Sequence, residues 1–300
     1  MRRWSVRLSA TVSFAIALAA PLADGPPETA PTPKRVVRYD LAESRKSVSP
    51  AGARESAVAG HVVVLGGAAR WDLDGGTFPR TRADAVVLGE RGGWLVDRKG
   101  PTAARAGLDD LGALFVPPAA GDPGPFQSRV ADVVVPPAEP SKGPPFEGRP
   151  TSRLRLTASW SLVTSMPGRV GRARCRLTAL VDAVEEGAGD ARSPLDDLGR
   201  LLDVPEKVRE AIAPELARVR GLPVGVVVET EAELAVDGPG TAPPAADGRS
   251  PLRTRTESTR TVSSLVTGPA TEGDAALFPL PEETRVVGIE RLVEPLETLR

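Results

Sequence analysis

Apolar and polar side chains alternate most strictly over residues 153–162. Leu154, Leu156, Ala158, Trp160 and Leu162 take every even position, and Arg153, Arg155, Thr157, Ser159 and Ser161 every odd one. A period of two assigns each set to its own face, so the segment predicts a half-buried antiparallel strand. Residues 172–177 repeat the pattern and place Cys175 on the apolar side. Over residues 224–236, Val228, Ala232, Leu234 and Val236 share one face, with Glu229, Glu231 and Glu233 on the other. Residues 253–266 alternate more weakly. Upstream, Val36, Val37 and Leu41 predict a first strand beginning near Lys34, and residues 55–76 read as a long strand or hairpin closed by Asp74-Gly75-Gly76. Residues 85–88 and 94–97, joined through Glu90-Arg91-Gly92-Gly93, predict a hairpin.

Helical signals sit between these strands. Ser193-Pro194 reads as an N-cap followed by proline at the first helical position, opening residues 195–202. Asp203 is the expected cap of a second stretch over 205–220, ended by Gly221, in which Val208, Ile212 and Leu216 form one stripe. Pro214 is expected to kink or split it. Residues 108–115 fit one or two helical turns. Residues 117–150 carry ten prolines and four glycines around a strand-like run at 130–135, which predicts a mobile insert. The fold class that follows is α+β, mainly antiparallel β, with about eight to eleven strands and a short helical pair at 194–220.

The amino terminus reads as an address. Arg2, Arg3 and Arg7 precede the uncharged apolar stretch 8–20, which is too short to span a bilayer, and Ala17-Leu18-Ala19 supplies a small-x-small cleavage pattern. Residues 1–19 are therefore expected to be a signal peptide, and the proline-rich residues 20–33 a disordered tether. The mature chain is expected to be exported, to a periplasm or beyond, with no transmembrane span. The whole chain carries 38 basic and 39 acidic side chains, so no general basic field points to nucleic acid.

Chemistry-bearing residues are few. One cysteine, Cys175, excludes an intrachain disulfide framework, and one histidine, His61, excludes paired-histidine metal motifs. The two could form a nucleophilic pair in space, but their settings favour a structural histidine and a core cysteine. Asp72-Leu73-Asp74-Gly75-Gly76 lacks the later ligands of a calcium loop and reads as a turn. Gly66-Gly67 and Gly92-Gly93 are followed by no lysine or helix start, so they read as turns rather than phosphate cradles. Arg153, Arg155, Arg172, Arg174 and Arg176 line one face of two strands, where they form either an anion-binding strip or a solvated face paired with Glu229, Glu231 and Glu233. The expectation is a non-enzymatic protein with no catalytic residue, metal or cofactor.

Several segments resemble, in order, exported bacterial domains of unknown function in the LolA-like superfamily. They are His61-Val62-Val63-Val64 leading to Ala69-Arg70-Trp71-Asp72, then Trp94-Leu95-Val96-Asp97-Arg98 and Gly221-Leu222-Pro223-Val224, and finally the closing run from Asp274 through Phe278-Pro279-Leu280-Pro281 to Thr284-Arg285-Val286-Val287. The resemblance implies a single domain over 34–288, with 289–300 as a tail. It further implies an incomplete, half-open antiparallel β-barrel whose apolar concave side is partly covered by helices. In characterised relatives that concavity carries lipoprotein acyl chains. Leu154, Leu156, Trp160, Leu162, Leu177, Val228 and Leu234 are the positions expected on such an inner face, where they either line a cavity for an acyl chain or form a self-filled core. Two functions are expected on this basis: binding of an acyl chain or other hydrophobic ligand, or a periplasmic interaction or sensory module with a protein partner in the envelope.

Overall fold

Alternation dominates the observed structure, a computed structural model that describes residues 35–50, 52–79, 81–89, 92–106, 127–166, 169–185, 198, 202, 204–237 and 252–293. The segments expected to be a signal peptide (1–19) and a tether (20–33), the turns expected at 108–115 and most of the first helix of the expected pair lie outside these residues. Thirteen strands form one sheet: β1 (Arg35–Ser49), β2 (Gly52–Leu65), β3 (Ala68–Leu73), β4 (Ala85–Gly89), β5 (Gly92–Asp97), β6 (Thr102–Ala106), β7 (Gln127–Val134), β8 (Glu139–Lys142), β9 (Ser152–Met166), β10 (Arg169–Val184), β11 (Leu222–Asp237), β12 (Leu252–Pro269) and β13 (Arg285–Val287). Their order is β13-β6-β5-β4-β3-β2-β1-β12-β11-β10-β9-β7, with β8 beside β7 on the same edge of β9. Among the described residues only β13 and β6 run parallel. The sheet has two ends and does not close among the described residues.

The architecture is therefore mainly antiparallel β, with more strands than expected. Part of the surplus is short edge strands, β8 and β13, whose periodicity is too brief to register. Two belong to the segment expected to be a mobile insert, since β7 and β8 both pair with β9. A bulge between Ala131 and Val134, with Asp132 at φ 54°, lets Val130 and Val133 pack on the same core despite their odd spacing. The expected tail is also partly structural. Ile289–Arg291 forms a 3-10 turn, Leu292 is buried, and its carbonyl accepts the Arg82 N–H at 2.9 Å.

Helix α1 (Glu206–Leu216) occupies the second expected helical stretch, preceded by Pro205 with no side-chain cap. Pro214 lies inside its last turn without splitting it, at the cost of the hydrogen bond its missing N–H would have made to the Glu210 carbonyl. A short helix α2 (Glu272–Ala275) is closed by a capping box between Thr271 and Asp274.

Buried side chains gather in two large clusters. The first lies over β1–β6 and includes Trp71, which meets Phe78 edge to face with ring centroids 5.0 Å apart. The second lies over β9–β11 and includes Val208 and Ile212 of α1. Register fits large against small there: Leu156 faces Ala179, and Ala158 faces Leu177. A smaller cluster over β4–β6 (Ala85, Val87, Val96, Ala103) is covered by Phe278 and Leu280.

Candidate functional site

Cross-strand register collects the seven expected inner-face residues on one face of β9, β10 and β11. Leu156, Ala179 and Val228 form one row; Trp160, Cys175 and Ala232 another; and Leu162, Ala173 and Leu234 a third. Leu154, Leu156, Trp160, Leu177 and Val228 are each at most 7% exposed. Leu162 and Leu234, in the row nearest the β9–β10 turn, are only half-buried. The face is filled by the protein itself: Leu198, Leu202, Val204, Val208 and Ile212 share the cluster. The end of α1 is tied down as well. The Ala138 N–H donates to Glu215 at 2.8 Å, and Arg218 donates to the Ala138 carbonyl at 3.2 Å. The first of these bonds, seconded by Arg218, holds the Glu215 carboxyl below its usual range.

Polar side chains interrupt the apolar face where β1 meets β12. Glu43 lies opposite Arg260 in the register, at 6% and 1% exposure. Both positions are in phase with core residues, Glu43 with Tyr39 and Leu41, and Arg260 with Val262, so the alternation that predicts the core also carries this signal. The signal is easily masked, because charged residues ordinarily lie on the solvent face.

On the opposite face His61 is exposed and bridges two carboxylates. Its Nδ1 lies 2.5 Å from Asp40 and its Nε2 3.1 Å from Asp74. Only an imidazolium donates from both nitrogens. The hydrogen bond to Asp40 accordingly raises the histidine above its ordinary value, with the charges of Asp74, Asp40 and Asp72 adding to it. Asp40 in turn is lowered, first by a hydrogen bond from Ser264 and then by His61. Arg70 and Arg98 both engage Asp72. Cys175 lies four strands away from His61 in the sheet order and on the buried face, so the two do not form a nucleophilic pair. Burial pushes the Cys175 thiol up. Among the described residues, no group of three or more histidine, cysteine, aspartate and glutamate side chains is arranged to hold a metal ion.

Arg153, Arg155, Arg172, Arg174 and Arg176 of β9 and β10, Glu229, Glu231 and Glu233 of β11, and Arg253 and Arg255 of β12 lie on the face of the sheet opposite the core. Arg153 binds Asp182 through two bonds of 2.7 and 2.8 Å. Arg253 reaches Glu233 at 3.6 Å, and Arg255 reaches Glu229 at 3.1 Å. Cross-strand pairing thus accounts for part of the charge, and an open groove of about 680 Å³ lies among the rest. No helix among the described residues is long and apolar enough to cross a membrane. No known protein family matches the chain, and no curated protein matches it.

Proposed function

We propose that this protein is an exported, non-enzymatic module of the bacterial cell envelope. In this reading it folds as a half-open LolA-like β-barrel whose apolar face is filled by its own helix, and it acts by binding a protein partner. The observation that supports it is the packing of α1. Val208 and Ile212 are fully buried in the same cluster as the five most buried of the expected lining residues, and α1 lies against β9 and β7, so an acyl chain along that side would have to displace the helix.

A second reading, a carrier of an acyl chain or other hydrophobic ligand, draws on the half-buried Leu162 and Leu234. They form a less buried apolar rim at one end of the same face, and α1 starts without a side-chain cap. Native mass spectrometry on protein purified without detergent separates the two. A clean apo mass is expected for the interaction module. A stoichiometric adduct that extracts into organic solvent would instead establish the carrier.

A further inference from the structure

The groove on the solvent face runs across the strands, between two parallel rows of side chains. In the register, Arg174, Glu233 and Arg253 form one wall, and Arg176, Glu231 and Arg255 the other. The walls carry the same charge at each strand. Crossing from β10 to β12 therefore meets a cationic band, an anionic band and a second cationic band, about 4.8 Å apart. The β9 end is floored by exposed Ser159 and buried Ser161, and exposed Asp132 of the β7 bulge stands beyond them. All six wall residues are exposed.

Their pairing leaves the bands available. Arg255 turns out of the groove toward Glu229, and Glu233 turns to Arg253 within its own wall. Arg174, Arg176 and Glu231 make no ion pair among the described residues.

We propose that this groove docks an extended segment of a protein partner whose side chains run acid, base, acid. An extended chain sends successive side chains to opposite sides. Because both walls present the same charge at each band, every side chain meets an opposite charge whichever wall it faces. A uniformly acidic segment would set its middle carboxylate against Glu231 and Glu233, and a base–acid–base segment would oppose all three bands. The proposal rests on the interaction-module reading and names the chemistry of its partner.

The test is fluorescence anisotropy of three labelled peptides against the purified protein at low salt. Their cores are Glu-Lys-Glu, Glu-Glu-Glu and Lys-Glu-Lys, each flanked by Gly-Ser. The Glu-Lys-Glu peptide is expected to bind at least fivefold more tightly than the others and to weaken as salt rises, as exposed pairs do. Arg174→Glu with Arg176→Glu should weaken it tenfold or more and shift preference to a Lys-Lys-Glu core. The milder Arg174→Gln/Arg176→Gln variant guards against misfolding, and Arg54→Glu/Arg105→Glu supplies the same charge change on exposed strand positions elsewhere. Equal binding of all peptides, no binding, or equal loss in the remote variant would overturn the proposal. So would Arg174- and Arg176-dependent binding of anionic phospholipid vesicles without peptide binding, which would make the groove a membrane contact. A peptide failure alongside a clean apo mass removes the groove and leaves the module reading standing. An acyl adduct alongside peptide binding does the reverse.

Discussion

Replacing Ile212 by alanine tests whether α1 is part of the core or merely rests on it. The side chain is fully buried in the cluster formed by β9–β11 and α1. Truncation removes three carbons, and at ~0.8 kcal/mol per buried methylene the lost transfer is about 2.4 kcal/mol. A residual void on the order of 40 Å³ adds about 1 kcal/mol at ~24 cal/mol per Å³. The expected loss is thus about 3 kcal/mol, a large share of a typical domain's stability of roughly 5–15 kcal/mol. Urea unfolding is followed by far-ultraviolet circular dichroism and by tryptophan fluorescence, since Trp160 belongs to the same cluster. The midpoint should fall with the slope unchanged and both probes coincident. Glu210→Ala, on the exposed side of the helix, is the reference and should stay within about 0.5 kcal/mol. A loss below about 1 kcal/mol for Ile212→Ala would refute the reasoning, because α1 would then be a cover that detaches without disturbing the sheet.

Three further outcomes follow from the same geometry. Gly221 stands at φ +85°, and an added Cβ would lie 2.0 Å from the Val184 carbonyl oxygen, so Gly221→Ala should destabilise by at least about 2 kcal/mol in the same urea assay; a neutral result would mean the approach to β11 is not held as described. His61 is the only histidine, so a single pair of ring-proton resonances should titrate above the ordinary value near 6.5. Its pKa is raised on folding, so the stabilisation is complete below the unfolded value and lost as pH rises through the folded one; His61→Gln should lose less thermal stability than the parent between pH 6 and 8, and a titration at or below 6.5 would contradict the bridge. Cys175 should react slowly with a thiol reagent in the native state and quickly in urea, since burial raises its pKa; fast native labelling would place it at the surface.

Much of the sheet was legible because two-residue alternation is a local property. Residues 153–162 announce both the strand and its buried face, and β10 and β11 read the same way. The seven inner-face residues were identifiable for this reason. The apolar stripe of α1 was legible too, but not which strands it meets, because α1 reaches β9 and β7 only through folding at long range. The strand-like run at 130–135 announced part of β7, but not its pairing with β9, since the residue inserted at the Asp132 bulge breaks the period that would have revealed the buried face. His61 was visible as a lone titratable group, but Asp40 and Asp74 come to it from other elements, at separations that no spacing rule links. The groove depends on register between strands: Arg174, Glu233 and Arg253 are unremarkable singly and become a wall only when β10, β11 and β12 align.

The seam between β1 and β12 sets a timetable for folding. Ser44 and Thr259 share a hydrogen bond across 215 residues of chain. At about 5–20 residues per second, synthesis of that interval takes roughly ten to forty seconds. Throughout it β1 has no β12 to pair with, and one edge of the β1–β2 hairpin remains open. The central pairing of the sheet is thus among the last to become possible, and neither flanking half is sealed before it. Contacts this distant in sequence slow folding and leave sticky edges exposed meanwhile. A chain released before β12 is complete would present bare strand edges on both β1 and β11, a ready template for aggregation.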